Sequence, residues 1–122
     1  MNYIAIAFGA VLGAFLRHAI FNIVKLESFP YHTLTVNVIG CFLIGVFAEY
    51  CIMKGSVPLS VKLFFITGFL GSFTTFSSFA LDTGFLTDKG EFLKAFAYVV
   101  SSIFCGLASY FTAVYMVRSL IK

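Results

Sequence analysis

Polarity divides the chain into four long apolar stretches joined by short polar segments. The apolar windows run over about 3–24, 33–53, 60–86 and 92–118. The joints are KLESFPYH, KGSVP and TDKGE, and they hold both prolines and many of the charges. A helical crossing of a bilayer takes about 20 mostly apolar residues. Each window meets that length, and joints this short connect antiparallel neighbours. The pattern predicts an all-α membrane protein with four transmembrane helices, a single domain over 1–122.

Composition agrees with this reading. The chain is 61% hydrophobic and 11% charged, with a mean hydropathy of +1.03. A soluble domain is nearer 45–50% apolar and about 25% charged. The first window has no basic leading segment, and its apolar run is too long for a cleavable signal. The three cysteines, Cys41, Cys51 and Cys105, lie inside spans, are odd in number and form no CxxC, so they read as small packing residues. His18 and His32 lack partners at metal-ligand spacing. No Walker-type or Rossmann-type glycine pattern occurs. No ATP site, enzymatic activity or nucleic-acid partner is expected.

Charge leaves the orientation open. With four spans, the N-terminus, the 54–59 joint and the C-terminus share one side, which carries Lys54, Lys62, Arg118 and Lys122. The other side carries Lys25, Lys89 and Lys94, with Arg17 a few turns inside. The positive-inside rule has almost no asymmetry to act on. One solution is insertion both ways round, two opposed copies forming an antiparallel dimer about a two-fold in the membrane plane. The other is a single orientation set by weak cues. The small residues Gly9, Ala10, Gly13 and Ala14 repeat every four positions and admit a close helix neighbour, within the chain or between chains.

The third window is longer than a crossing needs and contains GFLGSFTTFSSF, residues 68–79. Gly68 and Gly71 weaken the helix, and the hydroxyls that follow compete for its backbone hydrogen bonds. A break at 71–75 frees carbonyls on one half-helix and N–H groups on the other, which is tolerated only against protein or a cavity. The alternative is an intact helix whose hydroxyls bond back one turn. Phe76 and Phe79 share a helical face, and their positive ring edges can hold an anion, although phenylalanines at this spacing usually pack. In the fourth window, Tyr98, Ser102, Cys105, Ser109 and Thr112 form a stripe at spacings of 4, 3, 4 and 3. Such a stripe either lines a polar path or joins helices. Asn37, in TLTVNVIG, is an amide in a span and needs protein or water beside it.

Three segments together resemble the Fluc (CrcB-type) fluoride channel family along nearly the whole chain. They are GAVLGAFLRH, TLTVNVIGCFLIG and GFLGSFTTFSSF. Ser78 stands where threonine is common, and Ser72 where glycine is common. The resemblance implies a dual-topology homodimer in the cell (inner) membrane, with two fluoride pathways lined by both chains. It implies that Phe76, Phe79, Asn37, Thr75, Tyr98, Ser102 and Ser109 belong to the pathway. It places Arg17 near a vestibule, and Gly71 and Thr74 as carbonyl ligands of a structural Na⁺ at the two-fold. Asp82 falls where the family often has glutamate. The expected function is passive, fluoride-selective efflux. A small multidrug-type exporter requires a carboxylate deep in the first span, and this chain has none there. A non-transporting membrane subunit, its polar stripe serving only to join helices, is the remaining rival.

Overall fold

The computed structural model describes residues 1–24 and 28–121. Lys25 and Lys122, two of the charges counted above, lie outside the described residues. The elements are α1 (Asn2–Ile23), α2 (Tyr31–Lys54), α3 (Leu59–Lys62), a π-helical segment (Leu63–Leu70), α4 (Gly71–Phe73), α5 (Phe76–Asp88) and α6 (Phe92–Leu120). No strand occurs among the described residues. Four stretches are long and apolar enough to cross a membrane: α1, α2, Leu59–Asp88 taken together, and α6.

Local sequence explains the helix ends. Pro30 precedes α2 and Pro58 precedes α3, positions where a missing N–H removes no helical bond. Gly55 closes α2 in the left-handed conformation, φ 67°, with its N–H on the Cys51 carbonyl at 3.1 Å. That conformation strongly favours glycine.

Two packing units build the bundle. In the first, α1 lies against the π-helical segment and α4; in the second, α2 lies along α6, with α5 also against α6. The α1 contact is a backbone-to-backbone crossing. A β-carbon on Gly9 would run into the Phe64 carbonyl, and one on Gly13 into the Phe69 carbonyl. Gly9 and Gly13 of the first window therefore serve a contact inside the chain.

The second unit is closed at one end by a buried carboxylate. Arg118 of α6 donates Nε to Glu49 Oε1 at 2.8 Å and Nη2 to Glu49 Oε2 at 3.2 Å, a bidentate pair. On the opposite side, Lys94 pairs with Glu91 at 2.9 Å. The two pairs take one basic residue from each side and leave the balance between the sides unchanged. Most large apolar side chains, including Phe8, Phe15, Phe104 and Phe111, are exposed, as suits a surface solvated by hydrocarbon.

Candidate functional site

Between α4 and α5 the backbone leaves helical geometry for two residues. Thr74 is extended (φ −81°, ψ 160°), and so is Thr75 (φ −152°, ψ 115°). Several of the main-chain groups around this interruption find partners. Thr74 N–H donates to the Leu70 carbonyl at 3.0 Å, and its hydroxyl donates to the same carbonyl at 3.0 Å. The Thr74 carbonyl accepts from Arg17 Nη1 at 3.3 Å. Thr75 N–H donates to Asn37 Oδ1 at 2.8 Å, and the Thr75 carbonyl accepts from Asn37 Nδ2 at 3.0 Å. Thr75 then caps α5, its hydroxyl accepting from Ser78 N–H at 3.1 Å, an N-cap bond of the kind hydroxyl residues favour.

A cleft of about 410 Å³ opens beside these residues. Asn37 and Cys41 of α2 line it, with Gly71, Thr74, Thr75, Phe76 and Phe79 of the third span and Ser102 of α6. No lining residue is charged. Phe76 and Phe79 sit with centroids 5.4 Å apart and planes inclined at 39°. The Ser102 Oγ is buried and has no hydrogen-bond partner among the described residues. Buried hydroxyls are normally paired, so this donor is one that a small polar guest would satisfy.

Of the predicted site residues, Asn37, Gly71, Thr74, Thr75, Phe76, Phe79 and Ser102 meet at this cleft. Tyr98 and Ser109 do not line it. Tyr98 is fully buried; its ring packs on Phe79 at 5.3 Å, and its hydroxyl donates to Asp82 Oδ2 at 3.2 Å. Ser109 donates to the Val38 carbonyl at 2.9 Å, joining α6 to α2. Thr112 is exposed and bonds back to Ala108 at 2.7 Å. The stripe of α6 thus divides within one chain into a cleft hydroxyl, a buried phenol and a helix-joining serine. Arg17 reaches the Thr74 carbonyl.

Thr33 was not singled out from the sequence. Its hydroxyl donates to Asp82 Oδ2 at 2.6 Å, so Thr33 and Tyr98 hold one carboxylate oxygen between them. The available signal was its spacing, four residues before Asn37 and therefore on the same face of α2. Asp82 also borders a second cavity of about 330 Å³, formed with Ser28, Phe29, Lys89 and Glu91 at the loop end of the bundle. Phe76 packs on Phe79 and Phe79 on Tyr98, whose hydroxyl bonds Asp82 at the border of the second cavity.

The oxygen donors at the interruption are main-chain carbonyls, hard ligands suited to a small hard cation. By taking the Thr75 N–H, Asn37 removes the partner that a continuous helix would offer to the Gly71 carbonyl. The Gly71 and Thr74 carbonyls therefore fit a monovalent metal in character. Among the described residues, no group of three His, Cys, Asp or Glu side chains comes together.

Comparison with known proteins gives one consistent result. Residues 4–114 match the family model described as CrcB-like protein, Camphor Resistance (CrcB). The fluoride-specific ion channel FluC of Granulibacter bethesdensis is 38% identical, across 100% of this chain and 98% of that protein. The protein of the same name from Rhizobium johnstonii is 40% identical, covering 96% of each chain. That of Hydrogenobaculum sp. is 38% identical over 84% of this chain and 85% of its own.

Proposed function

The chain belongs to the CrcB-like family, and from that premise we propose that it is a fluoride-specific ion channel, not an enzyme, in a cell (inner) membrane. It acts as a multi-pass membrane protein through which F⁻ leaves the cell down its gradient. One observation carries the reading: Asn37, Phe76, Phe79 and Ser102 meet at one charge-free cleft, and the buried Ser102 hydroxyl has no partner among the described residues.

Fluoride is small and tightly hydrated, so a conducting path must replace its water with close donors. Ser102 offers one hydroxyl. Asn37 offers the second hydrogen of its amide, since the Thr75 carbonyl takes only one of the two. The positive edges of Phe76 and Phe79 add weak, short-range attraction. The absence of a fixed positive charge on these walls matters, because conduction requires release as well as entry. Tyr98, held on Asp82 and against Phe79, continues the path toward the second cavity. Thr75 keeps its backbone and hydroxyl in the wall, and Ser109 fixes the α2–α6 spacing beside it. Arg17 marks the vestibule side of the interruption.

We propose further that the functional unit is an antiparallel, dual-topology homodimer, and that the single domain 1–122 is one half of it. Phe76 is 80% exposed in the isolated chain, and the cleft beside it, with the non-helical backbone of Thr74 and Thr75 in its wall, lies open. Non-helical backbone at membrane depth calls for protein over it, which a second copy supplies. The extended pair Thr74–Thr75 is read as a break of the third helix at mid-membrane. Two such breaks crossing at the two-fold bring the Gly71 and Thr74 carbonyls of both chains together. A Na⁺ held there would balance their partial charges and tie the halves together without being transported. The decisive experiment is fluoride efflux from liposomes containing the pure protein. Fluoride-selective efflux without ATP or a proton gradient is expected; no efflux overturns the reading.

A further inference from the structure

Arg17 touches the main chain at the place where the cation is proposed to sit. Its Nη1 lies 3.3 Å from the Thr74 carbonyl oxygen, and the side chain is half-buried. A guanidinium carries its charge at every working pH. No carboxylate among the described residues lies within ion-pair distance of it. Each chain thus brings a permanent, tethered cation to one of its two candidate ligand carbonyls.

We propose that Arg17 sets how tightly the channel holds Na⁺, by sharing the Thr74 carbonyl with the ion and weakening its grip. The proposal rests on the reading of Gly71 and Thr74 as ion ligands. A carbonyl oxygen has two lone pairs and accepts from both partners at once. An ion on the second lone pair stands within about 6 Å of the guanidinium. At an effective dielectric of about 20, a like charge at that separation opposes binding by roughly 100-fold for each of the two guanidinium groups. Polarisation of the carbonyl by the guanidinium offsets part of that. The same contact keeps the Thr74 carbonyl satisfied in a single chain, where the second pair of carbonyls is missing. Arg17 is therefore a positioning residue that stands in for the metal before two chains meet and restrains it afterwards.

The test is equilibrium binding of radioactive ²²Na⁺ to the purified dimer, compared for wild type, Arg17→Lys, Arg17→Gln and Arg17→Met. Arg17→Lys keeps the charge and should bind within about threefold of wild type, whereas the two neutral variants should bind at least ~10-fold more tightly. Equal or weaker binding in neutral variants that remain dimeric overturns the proposal. If neither neutral variant assembles but Arg17→Lys does, the charge is a structural requirement and the proposal also fails. If the wild type retains no Na⁺ at all, the reading of a cation at the break fails first. Retention in the wild type without tightening in the variants removes only the role of Arg17.

Discussion

Asn37 and Thr75, 38 residues apart, hold each other by two reciprocal hydrogen bonds, Nδ2–H to carbonyl at 3.0 Å and N–H to Oδ1 at 2.8 Å. The side-chain amide copies a peptide group and pairs with one residue as a neighbouring strand would. It meets two main-chain groups that a helix would have paired internally. Asn37→Asp keeps the shape and removes the donor, setting a carboxylate against the Thr75 carbonyl. An unpaired buried acceptor alone costs about 1–3 kcal/mol. We predict that fluoride efflux from liposomes at neutral pH falls at least ~10-fold. Unchanged efflux would remove this clamp from the conducting structure.

Phe76 and Phe79 give a sharper contrast between lining and packing. An aromatic pair contributes about 0.5–1.5 kcal/mol beyond its buried area, so Phe76→Ile or Phe79→Ile should leave the dimer assembled. Efflux in each should nevertheless drop by more than about tenfold, because isoleucine has no positive ring edge. Normal efflux in both variants, measured beside an intact dimer on a sizing column, would return the rings to a packing role.

Dual topology is read by accessibility. With Cys41, Cys51 and Cys105 replaced, Ser56→Cys places a single thiol on the exposed 54–59 joint. A membrane-impermeant thiol reagent should label about half of the protein in sealed cells and the rest only after lysis, since the basic residues on the two sides are nearly balanced. Full labelling from one face, or none before lysis, would establish a single orientation and exclude the antiparallel dimer.

The crossing of α1 over the third span supplies a stability test. In Gly13→Val the new side chain meets the Phe69 carbonyl and comes to 3.0 Å from the Phe73 nitrogen, both backbone atoms. Overpacking of this kind destabilises by about 1–3 kcal/mol, and backbone yields less readily than side chains. Thermal unfolding in detergent should shift downward, with loss of the assembled form. An unshifted transition would mean that the crossing is looser than described.

The four spans were legible because a bilayer allows few ways to bury main-chain polar groups, and continuous apolar runs such as 92–118 register that demand locally. The gathering of Asn37, Phe76, Phe79 and Ser102 at one cleft was less so. Hydroxyls and glycines between 68 and 79 mark where a helix is weak without naming the partner that meets each freed group. Arg17 lies 57 positions from Thr74 and Ser109 lies 71 from Val38, distances at which helical periodicity carries no information. Tyr98 illustrates the limit. Its spacing joins it to Ser102 on one face, but the carboxylate of Asp82, on another helix, takes its hydroxyl. The π-helical geometry of Leu63–Leu70, packed against α1, likewise has no composition of its own.

The side chains that meet the main chain of Thr74 and Thr75 both come from earlier in the chain: Arg17 from α1 and Asn37 from α2. The ribosome therefore delivers them first. A third segment released by the insertion machinery on its own would carry bare peptide groups into hydrocarbon, at several kcal/mol each. With residues 17 and 37 already waiting, it does not. The resulting hypothesis is that the first three segments leave the translocon as one unit and not singly. Nascent chains stalled once the third segment has cleared the ribosome should show 37 and 75 close enough to cross-link, and sequential release of separate segments would refute it. Direction of synthesis would then be part of how this small protein comes to tolerate non-helical backbone in lipid.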